Sequence, residues 1–454
     1  MLSRIILLPA LSALLFTVAC RNRPSSAGEG VLLKDITLID GSGRPARPHV
    51  DLLIRGGTVS DIRESGADSS LPEDVQVLDL SGKTVMPVIN NTHGHLGILK
   101  GTRMSSDNYT RDNIIRQLEQ YASYGVGAVL CMGTDQQLIF GLRDSSRAGL
   151  LPGARIYTAG FGFATPGGIP APTNGMDHVN RPATPEEATA QVRKLAPLKP
   201  DVLKMWVEGH PGTPAMKPEV YKAIIAEAHR QGIRVAAHLY YLEDARKLVD
   251  AGVDIIAHSV RDKVIDDTLI AAMKQRGVMY IPTLALEDLA FIFADHPDWL
   301  NTPFFKAALE PGVWEMISNE DYLKKIKADP GYQRHVDALK IAMQNVKKLY
   351  DAGITITLGT DSGAQPVRVQ GFSEHLEMEL LVRSGIPPLQ VIRIATRNGA
   401  ELLHAGDRYG TLEPGKQADF IVLNGNPLDD ITRTRAISSV WKAGKKVSDG
   451  PVQQ

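Results

Sequence analysis

The chain has 454 residues, 43% of them hydrophobic, and its 50 Lys and Arg against 51 Asp and Glu give a formal net charge of −1. This length exceeds what one ordinary hydrophobic core needs, so a large single fold or a fold with an added module is expected. The near-neutral balance gives no overall positive charge of the kind that nucleic-acid-binding proteins carry, so that class is not expected.

The first twenty residues have the pattern of an export signal. Arg4 precedes an apolar run from Ile5 to Val18, which is too short to span a membrane. The run leads into Val18-Ala19-Cys20, which resembles the end of a bacterial lipobox, where the cysteine is lipidated. We therefore expect a signal peptide over 1–20, lipidation at Cys20 and a polar tether over 21–30. A plain secretory signal and a retained anchor are the alternatives.

This pattern predicts an exported protein, either periplasmic or a membrane-anchored lipoprotein. Membrane contact is then expected only through the N-terminal lipid anchor. The two cysteines, Cys20 and Cys131, would have different fates, so no disulfide framework is expected.

The middle of the chain repeats a unit of helix, glycine and apolar strand. In the first copy PEVYKAIIAEAHRQG has helical spacing of its apolar residues, and the strand IRVAAH follows Gly232. Helices and strands that alternate in this way predict parallel βαβ units. The unit occurs four times, with its glycine at Gly232, Gly252, Gly277 and Gly353. The predicted strands that follow these glycines end at His238, His258, Thr283 and Asp361.

Eight segments of the chain are candidate strands of one α/β fold. They are TVMPVINN, GVGAVLCMG, ARIYTAG, DVLKMW, IRVAAH, VDIIAH, VMYIPT and ITITLGTD. Eight parallel strands close a (β/α)8 TIM barrel, which we expect over 86–408. The competing open, doubly wound sheet is disfavoured because no G-x-G-x-x-G follows the first strand.

The two ends of the chain differ from its middle. Residues 31–85 and 409–454 hold short alternating strands joined by turns, which predicts one small β-sandwich built from both ends. Within the barrel region, residues 285–350 form a connection too long for a simple loop. It is either a set of extra packing helices or a lid over the mouth of the barrel.

Polar side chains stand at the ends of several predicted strands, where a TIM barrel has its active site. A single histidine at such a position is usually structural, but four at equivalent positions indicate a metal site. Imidazole and carboxylate together are zinc-type ligands, and in an H-x-H pair on an extended segment both rings point the same way. The residues are His93, His95, Lys204, His238, His258 and Asp361.

These motifs resemble the amidohydrolase superfamily over nearly the whole mature chain. The segments that carry the resemblance are MPVINNTHGH, LKMWVEG, VAAHLYYLEDA, DIIAHS, LGTDSG and IATRNGAELL with GTLEPGKQADFIVL. Within the superfamily the chain is similar to the branch with a lysine on strand four, which includes Xaa-Pro dipeptidase-like and imidazolonepropionase-like members.

The resemblance implies two Zn²⁺ ions. His93, His95 and Asp361 would hold one ion, His238 and His258 the second, and Lys204 would bridge them as a carbamate. A free ammonium has no lone pair for a metal, so this role requires carboxylation. The alternatives are a mononuclear site and a buried Lys204 paired with Glu208 or Asp361.

The resemblance also implies a metal-activated hydroxide, with Asp361 as general base and then acid. Tyr240 or Tyr241 is a candidate donor to the developing oxyanion. Arg261 would clamp a substrate carboxylate or form a surface ion pair with Asp262. Trp206 and His210 are expected to line the pocket.

The predicted function is hydrolysis of a C–N amide bond in a peptide-like or N-acyl amino acid substrate. A mononuclear deaminase or cyclic-amide hydrolase is the first alternative, and a catalytically inactive, surface-anchored binding protein is the second. Esterase or lactonase activity also fits this fold. The sequence departs from the family at Val88 and Asn91 and in the loops VEGH and LYY, so it does not choose the substrate. It leaves the oligomeric state open as well.

Overall fold

The computed structural model describes residues 30–66, 74–173, 175–210 and 212–452. The predicted signal peptide, Cys20 and the tether as far as residue 29 lie outside these ranges. Within them, no helix is both long and apolar enough to cross a membrane.

The chain alternates strands and helices through its middle and is rich in strands at both ends. The strands are β1 Gly30–Leu38, β2 Arg47–Arg55, β3 Thr58–Glu64, β4 Val75–Asp79, β5 Thr84–Pro87, β6 Ile89–Gly94, β7 Leu99–Lys100, β8 Arg103–Met104, β9 Val126–Cys131, β10 Arg155–Thr158, β11 Leu203–Trp206, β12 Val235–His238, β13 Ile255–Ala257, β14 Met279–Ile281, β15 Phe420–Leu423, β16 Ile437–Lys442 and β17 Lys445–Ser448. The α-helices are α1 Arg111–Ser123, α2 Leu138–Arg147, α3 Pro185–Leu195, α4 Pro218–Arg230, α5 Leu242–Ala251, α6 Asp267–Arg276, α7 Leu284–Asp288, α8 Pro303–Lys306, α9 Val313–Ile317, α10 Glu320–Ala328, α11 Tyr332–Asp351, α12 Phe372–Arg383, α13 Pro388–Arg393 and α14 Gly399–Leu402.

Two parallel sheets form the centre of the molecule. One has the order β10-β9-β6 and the other β11-β12-β13-β14. A parallel bridge between Phe163 and Met205 links the chain after β10 to β11. The segment after α11 bridges β14 through Ile356, and its Leu358 carbonyl accepts from Thr92 N of β6 at 2.8 Å. These parallel strands with their helices confirm the predicted mixed α/β class.

The repeated helix–glycine–strand unit is present in its first three copies as the sequence predicts. In the fourth copy, which lies wholly within the described residues, the predicted strand ITITLGTD is not formed, and the segment pairs with β14 only through an isolated bridge at Ile356. Helices α4, α5, α6 and α11 each end one or two residues before a glycine whose backbone is left-handed. These are Gly232, Gly252, Gly277 and Gly353, with φ of +70°, +92°, +67° and +81°. Glycine adopts this conformation without steric cost, so it stops the helix and returns the chain to the next strand.

Both ends of the chain pair in one eight-stranded sheet. Its order is β17-β16-β15-β5-β1-β2-β3, with β4 beside β1. The link between the two ends is β5, which runs antiparallel to β15 and parallel to β1. Leu33, Leu52 and Phe420 belong to a buried core on this sheet. The expected association of the two ends is therefore present, whereas the two-layer sandwich remains a prediction.

The long connection after β14 is helical. It holds α7 to α11, and its aromatic side chains pack together and against Phe372 of α12. Trp299 lies 4.8 Å from Phe305 and 4.7 Å from Phe372 between ring centroids. This packing fits the expectation of extra helices. The connection also sends side chains towards the carboxyl ends of the parallel strands, as described below.

Candidate metal centre

The six predicted ligands lie together at the carboxyl ends of the parallel strands. The imidazole ring of His258 lies 4.4 Å from that of His93 and 4.3 Å from that of His238, between centroids. His95 joins this group, because its Nε2 and Asp361 Oδ1 are 2.8 Å apart. Lys204 Nζ lies 3.4 Å from His93 Nε2. The convergence follows from the parallel topology for His238, which ends β12, and for His258, which directly follows β13, whereas Lys204 lies within β11.

Backbone contacts fix the position of Asp361 against His93. The amide nitrogens of Thr360 and Asp361 both donate to the His93 carbonyl, at 3.0 and 2.7 Å. Asp361 has a left-handed backbone with φ of +59°, which costs energy for a residue with a side chain. Its carboxylate lies 3.2 Å from His93 Nε2 as a result. Such strain is typical of functional sites.

Two threonines orient the imidazoles of the centre. His95 Nδ1 is hydrogen-bonded to Thr134 Oγ1 at 2.7 Å, and His258 Nδ1 to Thr283 Oγ1 at 2.8 Å. Thr283 also has a left-handed backbone, with φ of +49°. A partner on Nδ1 turns Nε2 towards the centre, which is how metal-binding histidines are held.

Burial controls the charges of the centre. It lowers the pKa of His93 and His258 well below the ordinary value, and nearby cationic groups lower both further. Burial also lowers the pKa of Lys204 to about 7, although Asp361 opposes this. Burial alone would raise the pKa of Asp361, but Arg368, His93 and His95 hold it well below its usual range. Neutral imidazoles and an ionised carboxylate are the forms that bind metal.

The arrangement fits a divalent metal ion. Ligand atoms of His93, His258 and Asp361 all lie within 4.8 Å of one another, and all three residues are buried. Within the described part of the chain, the buried Nδ1 atom of His238 has no hydrogen-bond partner. A buried polar atom without a partner is costly, and metal coordination would satisfy it.

The centre forms the floor of a cavity of about 460 Å³. Trp206, His210, Tyr240 and Arg261 line this cavity as the sequence predicts. Tyr241 is not among the lining residues, so of the two predicted oxyanion donors Tyr240 is the one that faces the cavity. Tyr241 precedes α5, and its ring packs against that of Tyr240, with 5.0 Å between the centroids.

Arg261 is buried, and its ion-pair partner is not the predicted one. Its Nε lies 2.7 Å from Glu287 Oε1, a carboxylate of α7. The expected pair with Asp262 is not formed, because Asp262 Oδ1 accepts from Leu242 N at 2.7 Å. The guanidinium of Arg261 also lies 4.7 Å from the ring centroid of Tyr240. Arg261 is therefore held rigidly in the cavity wall.

Several residues of the cavity were not predicted from the sequence. Arg334 and His335 come from α11 and Glu287 from α7, so the long connection builds part of the wall. Arg368 pairs with Asp361 Oδ2. His238 Nε2 lies 2.9 Å from Glu208 Oε2, and this histidine helps to lower the pKa of Glu208 to about 2 against the effect of burial. Of these residues only Glu208 was named in the sequence analysis, as a possible partner of Lys204, which lies four residues before it.

Comparisons with known proteins agree with this site. Residues 84–447 match the amidohydrolase family, so the chain belongs to it. The match confirms the enzyme class predicted from the sequence, hydrolases that act on carbon–nitrogen bonds. Members of this family generally bind a divalent metal ion.

Three relatives illustrate the range of the family. Ochratoxinase of Aspergillus niger is 28% identical over 275 residues, which cover 57% of this chain and 49% of that protein. The chain thus spans about half the length of this curated relative. A solved Xaa-Pro dipeptidase with methionine bound in its active site is 25% identical, with a TM-score of 0.73 and coverage of 92% of this chain and 99% of that one. A protein from Bifidobacterium longum, described as a prolidase, is 26% identical, with a TM-score of 0.73 and coverage of 94% and 97%.

Gly359 allows His93 to reach the centre, and its substitution should weaken metal binding. A Cβ at this position would lie 2.3 Å from Ile281 Cγ2 and 2.7 Å from His93 Cβ. Gly359→Ala is therefore expected to displace His93, to reduce the metal bound per chain and to cost about 1–3 kcal/mol of stability. Gly141→Ala is the matched control, because nothing lies within 4 Å of its added Cβ. Metal analysis and thermal unfolding of both variants test this, and an unchanged metal content in Gly359→Ala would contradict it.

Proposed function

We propose that the protein hydrolyses the amide bond of a dipeptide or an N-acyl amino acid at two zinc ions bridged by carboxylated Lys204. The observation that carries the proposal is the convergence of four imidazoles, Lys204 and Asp361 on the floor of a cavity with arginines in its wall. A binding protein without turnover would not need to keep such a complete set of ligands.

We also propose that the parallel strands close into a (β/α)8 barrel over 86–408, with a small β-sandwich from 31–85 and 409–454. Two sets of contacts support closure. The Phe163–Met205 bridge links the chain after β10 to β11, and on the other side the segment after α11 bridges β14 at Ile356 and β6 at Ser362. A closed barrel would explain why residues from β6 and β13 meet at one centre.

His93, His95 and Asp361 would hold one metal ion, and His238 and His258 the other. A bound divalent metal would supply Lewis acidity, which polarises a carbonyl group and lowers the pKa of water so that hydroxide is available as the nucleophile near neutral pH. The neutral state of the buried imidazoles supports this assignment, since only the unprotonated ring offers a lone pair.

Lys204 is suited to carboxylation. Its fully buried amine has a pKa lowered to about 7 by burial, so a large fraction is neutral at physiological pH. A neutral amine attacks carbon dioxide to form an N–C bond and releases one proton, which gives a carbamate with two anionic oxygens. Its Nζ lies 3.4 Å from His93 Nε2, and the opposing charge of Asp361 is too weak to restore the ordinary pKa of the amine.

Asp361 would take the proton from the attacking water and pass it to the leaving nitrogen, as a general base and then acid. Its ionised state supports the first of these steps. Tyr240 would donate to the developing oxyanion. Two guanidinium groups, those of Arg261 and Arg334, lie 4.7 and 4.6 Å from its ring centroid, and they keep the ring in place.

The arginines of the cavity favour a substrate with a free carboxylate. Arg261, Arg334 and Arg368 all line the cavity, and guanidinium groups bind carboxylates in bidentate fashion. The amino acid found in the active site of the dipeptidase relative and the prolidase description of the second structure point to the same chemistry.

One observation favours the alternative of a mononuclear deaminase or cyclic-amide hydrolase. The group whose ligand atoms lie within 4.8 Å of one another consists of His93, His258 and Asp361, which is enough for one ion. A panel of dipeptides and N-acyl amino acids, assayed beside cyclic amides and aminated purines, separates the two functions.

The preference for a carboxylate is expected to depend on Arg261. For a substrate and its C-terminal primary amide, the wild type should prefer the free acid, and Arg261→Lys should lose most of this preference. A charged hydrogen bond contributes about 1.5–3 kcal/mol, so the ratio of kcat/KM should fall about 10- to 100-fold. The ratio is unaffected by partial unfolding, because both substrates meet the same enzyme. An unchanged ratio would exclude Arg261 as the carboxylate site.

A further inference from the structure

A second cavity lies at the other end of the parallel strands. It has a volume of about 460 Å³ and is lined by the loop that precedes β10, by the first residues of β10 and by β16 and β17. The metal centre is at the carboxyl ends of the strands, whereas this cavity is beside their amino ends. The two cavities share no lining residue.

The charged residues of the second cavity are mostly cations. One acid, Glu119, accompanies five cations, which are Arg147, Arg155, Arg408, Lys442 and Lys445. Two of the five are paired, Arg147 with Asp201 and Arg155 with Asp419. In the part of the chain that the structure describes, no carboxylate pairs with the other three. The surface therefore keeps a positive charge.

The cations lie at two depths. Arg155 has only 13% of its side chain exposed, and Lys442 donates from its Nζ to the Gly153 carbonyl at 2.7 Å. Burial, and then the nearby Arg155, lower the pKa of Lys442 to about 8. Arg408 and Lys445 are exposed at the rim. An anion in the cavity would thus meet a buried cationic floor and an exposed cationic edge.

Exposed apolar residues border the same cations. Leu150, between the lining residues Gly149 and Leu151, is 74% exposed, and Val447 of the lining is 45% exposed. Scattered exposed apolar residues are common, but these two flank a basic cavity. Together with the five cations they form what we call the basic face.

The described chain begins beside this face. Gly30 lines an adjoining cavity that shares Ala443 and Lys445 with the second cavity. Cys20, the predicted lipidation site, is ten residues before Gly30. Ten residues of fully extended chain span at most about 35 Å. A lipid on Cys20 would therefore hold the basic face within reach of the bilayer.

We propose that the basic face docks on an anionic membrane, with the phosphate of a lipid headgroup in the second cavity and Leu150 and Val447 at the interface. Basic residues near an anionic leaflet bind it additively. This goes beyond contact through the lipid anchor alone, and it does not depend on the proposed hydrolysis. Because the metal centre lies at the opposite ends of the strands, docking leaves its cavity open to solvent.

Vesicle binding tests the proposal on a chain that begins at residue 21. Every strand, helix and core cluster described lies within residues 30–452, so this chain keeps them all. It should bind vesicles of phosphatidylcholine with phosphatidylglycerol, and not phosphatidylcholine alone, and high salt should release it. The double variant Arg408→Gln, Lys445→Gln should bind about 25-fold more weakly, about fivefold for each cation, and Leu150→Ser more weakly than the wild type.

Lys324→Gln with Lys325→Gln is the matched control, because these two lysines lie on α10 of the long connection, away from the second cavity. Thermal unfolding shows that each variant is folded. No binding to anionic vesicles, or an equal loss in the control, would overturn the proposal. Binding of inorganic pyrophosphate that requires Arg408 and Lys445, without vesicle binding, would overturn it as well, since the cavity would then take a soluble anion.

Discussion

Lys204→Ala is expected to lower the metal content from two ions per chain to one or none and to abolish hydrolysis. In the proposed centre the carbamate of Lys204 is the only ligand shared by both ions, so its loss removes a bridge as well as a charge. Metal analysis of purified protein beside hydrolysis of the substrate panel measures both effects. The starting material should be loaded with zinc in the presence of bicarbonate.

Two further measurements separate carboxylation from a simple packing effect of Lys204. Reconstitution of metal-free wild type should depend on bicarbonate and should improve as the pH rises through about 7, the pKa to which burial lowers this lysine. Below that pH the amine is an ammonium and cannot attack carbon dioxide. Lys204→Glu, which supplies a carboxylate directly, should bind more metal than Lys204→Ala, and without bicarbonate. One ion in both wild type and Lys204→Ala would favour the mononuclear alternative, and no metal in either would contradict the catalytic proposal.

The parts of the site that the sequence predicted depend on local patterns. His238 and His258 end short apolar strands at a fixed distance after a helix-stopping glycine, so their place at the carboxyl ends follows from the chain itself. His93 and His95 follow an apolar strand in the same way. For these histidines the local pattern predicts both the strand and the position of the histidine at its carboxyl end. The parallel arrangement of the strands then brings the histidines together.

The parts that were missed depend on contacts distant in sequence. Arg334 and His335 enter the cavity from α11, more than sixty residues after the strand that carries His258, and nothing in the helical pattern of that segment marks them. The partner of Arg261 is likewise Glu287 and not its neighbour Asp262. The left-handed backbone of Asp361 and Thr283 could not be predicted either, because it is uncommon for any residue other than glycine, although Asp adopts it more often than most, and it is rare for a β-branched residue such as Thr.

Asn91 shows why a departure from a family pattern leaves the centre intact. Its Oδ1 accepts from His93 N at 2.9 Å, and its Nδ2 donates to Glu374 Oε1 at 2.6 Å. The amide thus connects the strand that carries the first two ligands to a buried acid of α12. These contacts position the ligand-bearing strand from outside the group of predicted metal ligands. The family pattern does not identify the substrate in the same way, because part of the cavity wall comes from the loops that differ from the family.

Asp361→Asn is expected to lower kcat by about 10²- to 10⁴-fold, the usual contribution of a general acid–base group. The amide keeps the shape of the side chain, but it cannot take a proton from water and pass it to the leaving nitrogen. KM should change much less, since the arginines that would bind the substrate carboxylate are untouched. Steady-state kinetics on the best substrate of the panel, beside metal analysis, measure these effects.

Asp262→Asn is the matched control for this variant. Asp262 also follows a parallel strand, but its Oδ1 accepts a hydrogen bond from Leu242 N, which an asparagine oxygen can also do, and it is not among the lining residues of the metal cavity. It should therefore keep nearly full kcat. If Asp361→Asn retains its metal and loses kcat, Asp361 acts on protons in addition to holding the ion. If its kcat is close to that of the control, proton transfer belongs to another group, and Glu208, 2.9 Å from His238 Nε2, becomes the first to examine.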